Sequence, residues 1–146
     1  MAKGFIPFIY HDGQPSELEW YPVGGTMTIE VGDALYLSGG KLDFVTGAQT
    51  PDFIAMSDAK KLTAGTPVPV IRVKAEDIYE TCLAEASAAI KVGVKYTVGS
   101  DSASITATTT NGVAEVVSFD GTASGSAVRV RFPESMRVNG DGSFDS

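Results

Sequence analysis

The chain has one cysteine, Cys82, and one histidine, His11, in 146 residues. A single thiol excludes an intrachain disulfide and also excludes cysteine-rich zinc sites. Positive charge is scarce too: 11 Lys and Arg face 18 Asp and Glu, for a net charge of −7. Phosphate backbones are bound by clustered Lys and Arg, so nucleic acid is not expected as a partner. No stretch approaches the roughly 18 apolar residues of a membrane span, and no membrane partner is expected. The start, Met1 to Tyr10, has one Lys and a short apolar patch. It lacks a long hydrophobic region with a small-residue cleavage site, which predicts a protein made and kept, at least initially, in a cytoplasm.

Long apolar patterns at 3.6-residue spacing are also rare, and short alternating runs of Val, Thr and Ser between glycines take their place. With 43% apolar residues the chain can bury a core, as one domain or two very small lobes sharing it. From Thr26 the grammar is regular: Met27, Ile29 and Val31 alternate with polar residues, Gly32-Asp33 turns, Leu35 and Leu37 follow, then Gly39-Gly40, Leu42 and Phe44. Phe53 to Met56 and Val68 to Val73 read as further strands, the second placed at a sheet edge by Pro67 and Pro69. Asp77 to Leu83 reads as a strand, followed by a short helix or turn over the Ala-rich Ala84 to Ile90. Strand patterns return around Tyr96 and Val98, at Ser104–Thr109, Val113–Phe119 and Val128–Phe132.

The fold expected is all-β: a small barrel or sandwich of two similar meander units with an extended N-terminal arm. The arm spans residues 1–25, the β domain 26–134 and a flexible polar, Gly-rich tail 135–146. Val31-Gly32 answers to Val92-Gly93, Tyr36 to Tyr96, Ile54–Asp58 to Glu115–Asp120, and Ala64–Val70 to Ser124–Val130. The offset stays near 60 residues, placing the repeat units at about 26–75 and 87–132. Such a piece used twice buries its apolar face against its copy.

In the arm, Phe5, Ile6, Phe8, Ile9, Tyr10, Trp20 and Tyr21 are broken up by Pro7, Pro15, Pro22 and Asp12-Gly13. Two readings stand side by side. The aromatics cover one end of the core, or they dock on another chain, where buried aromatics carry much of the binding energy. On the second reading Phe5, Ile6, Phe8, Tyr10, Trp20 and Tyr21 are the contacts, and deleting residues 2–22 removes binding while the β core stays folded.

No catalytic constellation is visible, so no enzyme activity and no cofactor or metal are expected. His11 and Asp12 are adjacent and do not face each other as a triad requires. Cys82 lies in an apolar strand pattern, as core filler. The carboxylates are scattered as on a solvated face, and Asn139-Gly140-Asp141-Gly142 lacks the spacing of a calcium loop.

Three segments together resemble the small decoration, or cement, proteins of tailed-phage heads: Gly4–Gly13, Ile29–Leu37 with its Gly39-Gly40 turn, and Pro67–Val73 leading into Asp77–Thr81. The resemblance implies a β-rich protein on the outer capsid surface of the virion, bound to the major capsid protein, commonly as a homotrimer, and stabilising the shell. Its N-terminal arm would reach onto the capsid or a neighbouring subunit. The alternative is another virion binding module, from a tail, fibre or adhesin, that recognises a protein or a glycan.

Overall fold

The structure, a computed structural model, describes residues 4–9 and 17–134; Tyr10, His11 and the tail lie outside the described residues. It is all-β. The strands are β1 (Ile6–Ile9), β2 (Leu18–Pro22), β3 (Met27–Ile29), β4 (Ala34–Ser38), β5 (Lys41–Phe44), β6 (Phe53–Ala55), β7 (Ala59–Leu62), β8 (Pro67–Arg72), β9 (Ile78–Cys82), β10 (Lys95–Tyr96), β11 (Ala114–Phe119) and β12 (Ala127–Arg131). They form an N-terminal sheet, β2-β8-β6-β4-β5, a C-terminal sheet, β1-β9-β12-β11-β10, and a ribbon of β3 with β7. Every pairing between these strands is antiparallel.

The duplication is present in the topology. In the N-terminal sheet β2 pairs with β8, β8 with β6 and β6 with β4; in the C-terminal sheet β9 pairs with β12, β12 with β11 and β11 with β10. In each set the first strand lies beside the last of three hairpin-connected strands, a Greek key used twice. The turns match bond for bond. Gly65 N donates to Val23 O at 2.9 Å and Gly125 N to Leu83 O at 2.8 Å; Gly32 N donates to Ala55 O at 2.9 Å and Gly93 N to Val116 O at 2.8 Å. All four glycines have positive φ, between 85° and 95°, a conformation that costs glycine nothing. Each unit also carries one isolated parallel bridge at an equivalent place, Val23 to Leu42 and Leu83 to Ile105.

The structure shifts parts of the sequence reading. The shared strand set begins at β2 and β9, ahead of residues 26 and 87. Val113 N bonds Tyr96 O as Asp52 N bonds Leu35 O, so Tyr96 answers to Leu35 and not to Tyr36. A one-residue slip reverses the face of a strand, and Leu35 and Tyr96 are both buried. β8 is an interior strand despite its prolines: Pro67 is its first residue, and Pro69 lies opposite Met56, just past the end of the three-residue β6. Of the helix or turn expected over Ala84–Ile90 the structure takes the turn, with Ile90 N bonding Ser87 O, and Ser87 N bonds Thr122 O in the place where unit one pairs Met27 with Leu62. Ser104–Thr109 forms only isolated bridges, through Ile105.

Burial separates the two units. In the N-terminal sheet Ala34, Ile54 and Ile71 are cross-strand neighbours on one face and join the main core with Tyr79, Val116, Val130 and Phe132. Leu35, Phe53, Ala55 and Val70 on the other face form a second core with Val23, Met27 and Ile29. Both faces of this sheet are therefore covered. In the C-terminal sheet the positions answering to Ala34, Ile54 and Ile71 are Lys95, Glu115 and Arg131, again cross-strand neighbours. That face is the outer one, and Arg131 pairs with Glu115 across it. Cys82 is buried in the strand β9.

Candidate interaction surface

The described parts of the predicted arm are edge strands. β1 lies outside the repeat and adds to the edge of β9, pairing Ile6 with Glu80, Pro7 with Tyr79 and Ile9 with Ile78. β2 forms the edge of the other sheet beside β8. Edge positions tolerate proline, which explains how Pro7 and Pro22 fit within them.

Strand alternation then sorts the six predicted contact residues. Phe5 points inward: it is 0% exposed, and its ring meets Phe132 edge-on with centroids 5.4 Å apart. It serves this chain's own core, the first of the two readings given for the aromatics. Tyr21 is half-buried, with its ring 4.7 Å from Phe53. Its hydroxyl donates to Glu19 Oε1 at 2.6 Å. Ile6 and Phe8 lie on the outer side with exposures of 38% and 52%, and Trp20 is 62% exposed. Tyr10 is outside the described residues. Two further exposed apolar residues belong with these: Ile9 at 51% and Leu18 at 56%. Leu18 was not singled out from sequence, although its alternation with Glu19 places it on the face of Trp20.

Ion pairs flank both edges. The Arg72 guanidinium holds Glu19 below the usual carboxylate range, bonding its two oxygens at 3.0 and 2.7 Å, while Glu19 raises Tyr21. Beside β1, Arg129 packs over the Phe8 ring at 5.4 Å and bonds Glu80 and Asp120. With their charges spoken for in this way, both edges present chiefly apolar surface and open backbone. That arrangement suits docking of another chain.

Asp33 sits apart from this surface. Burial pushes its carboxyl up to about 6 from 3.8, helped by Glu30, Asp101 and Asp58 and opposed by the Glu30 amide that it accepts. With the folded value above the unfolded one, the stabilisation is full below 3.8 and is lost as pH rises through about 6. Asp33→Asn keeps an acceptor for the amide. It is expected to raise stability by roughly 1–3 kcal/mol near neutral pH and to flatten the pH dependence between about 4 and 6. Urea unfolding at the two ends of that range measures this, and a variant less stable at neutral pH contradicts it.

No family model and no curated protein matches the chain. Among solved structures, it is similar to the N base of head fibre gp8.5 from bacteriophage phi29, with 17% identity and a TM-score of 0.54. The match covers 80% of this chain and 94% of the other. The two share a fold.

Proposed function

We propose that this chain is a structural protein of a tailed-phage virion, carried on the outside of the head. There it binds the major capsid protein as a homotrimer and acts as a decoration or cement protein, without catalysis. The observation that carries this reading is the fold shared, over 80% of this chain, with the base of a phage head fibre. The exposed apolar edges of β1 and β2 supply surfaces for contact with a neighbouring subunit, and the acidic charge of −7 keeps the chain from nucleic acid. A second reading has a specific basis, because the similar protein is the base of a fibre. On that reading the chain roots a projecting fibre at a few sites and does not cover the lattice.

Heads lacking the protein, mixed with the purified chain and sedimented, test both readings. Decoration gives saturable binding at many sites and a higher temperature of particle disruption. Saturation at few sites with no change in disruption temperature favours the fibre base, and no co-sedimentation overturns both.

A further inference from the structure

The duplication shows an unfilled strand position. Although β1 lies outside the repeat, it fills the place beside β9, opposite Ile78 to Glu80. The answering edge in the first unit is β2 at Leu18 to Trp20, and among the described residues no strand lies there. Among the described residues the outward backbone groups of that edge meet no strand. Pro69 O accepts the Met56 amide at 3.1 Å, so Pro69 turns its backbone groups towards β6. Trp20, its partner in the β2–β8 ladder, therefore turns its N–H and C=O away from β8, and alternation gives Leu18 the same direction. The flanking side chains are apolar and exposed.

The outer edge of β1 has complementary properties. It is the end strand of the C-terminal sheet, with Ile6, Phe8 and Ile9 exposed and no charged residue in Ile6–Ile9. We propose that the position beside β2 is taken by β1 of a second copy of this chain, which joins the C-terminal sheet of one protomer to the N-terminal sheet of the next. Pairing β2 with its own copy is disfavoured, because the exposed Glu17 would approach its equivalent in an already acidic protein. Pairing β1 with its own copy brings together two strands that each lack a donor at Pro7. The β1-to-β2 contact is head-to-tail, so a ring of copies closes it without leaving an exposed edge. This deepens the self-association within the proposed function by naming its surface, and it can be tested without any head.

Trp20 is the only tryptophan and lies within the contact. Purified chain is followed by sedimentation for mass and by tryptophan emission, across a concentration series. The expected result is a rise to a discrete multiple of the protomer mass, with emission moving to shorter wavelength and acrylamide quenching falling over the same range. Leu18→Lys on one edge and Phe8→Ser on the other should each weaken association by roughly tenfold or more, with circular dichroism and unfolding midpoint confirming the fold. A monomer at every concentration overturns the proposal. So does an oligomer in which Trp20 stays solvent-exposed, or one that both variants leave intact; those outcomes retain self-association and move it to another surface. Binding to heads is read in the separate sedimentation assay.

Discussion

Phe5→Ala is expected to destabilise the fold by about 3–5 kcal/mol, the usual cost of emptying a buried aromatic site. The ring has no exposed surface and meets Phe132, which in turn lies 5.9 Å from Tyr79 in the main core. Its backbone is equally fixed. Phe5 N donates to Gly32 O and Gly4 N to Ala103 O, both at 2.7 Å. Gly4 and Gly32 pass so closely that a Cβ on Gly32 would stand 2.7 Å from Gly4 Cα. Since domains of this size are stable by only about 5–15 kcal/mol, the variant should fall close to the folding threshold. Phe8→Ala, three residues away and half exposed, should change stability by less than about 1 kcal/mol. Urea unfolding of both variants checks the contrast, and a Phe5→Ala loss below that of Phe8→Ala contradicts it. Removal of residues 2–22 would therefore take away Phe5, β1 and β2 together, and should unfold the chain rather than leave an intact β core.

The second large effect is expected from exchanging one residue between the repeats. Ile54→Glu places a carboxylate between the two sheets, beside Ala34 and Ile71 and away from any cation in that cross-strand row. An unpaired buried charge costs several kcal/mol, so a loss of about 4 kcal/mol or more, or failure to fold, is expected. The reciprocal Glu115→Ile, at the answering place in the C-terminal sheet, removes only an ion pair with the half-exposed Arg131. Its effect should stay within about 1 kcal/mol. Equal penalties from the two variants would show that the faces are not buried in the way the structure has them.

That asymmetry became legible only when the structure set the register of the repeat, since pairing Tyr36 with Tyr96 sets Lys95 against Leu35. Cross-strand neighbours are Ala34, Ile54 and Ile71 in one copy and Lys95, Glu115 and Arg131 in the other, so one sheet is covered on both faces and the other on one. The all-β class and most strands were legible from period-two alternation and glycine turns. Other features depend on long-range pairing that local patterns do not encode. Ala84–Ile90 has helix-forming composition, but its Ala84 and Ser87 amides donate to the distant Ile105 O and Thr122 O. Pro67 and Pro69 suggest an edge, yet β6 is short enough to leave them an interior place. In the arm, composition identified the apolar residues but not their direction. β1 turns Phe5 inward and Phe8 outward, and only its pairing with β9 decides which is core and which is surface.

Absolute quantitation of this chain against the major capsid protein, by mass spectrometry of purified phage particles, tests the proposed role most directly. A ratio near one, or a simple fraction of it, is the result expected of a protein spread over the head lattice. Absence from the particles, or a few copies per particle, would contradict lattice decoration; a few copies would leave the fibre base as the reading that survives.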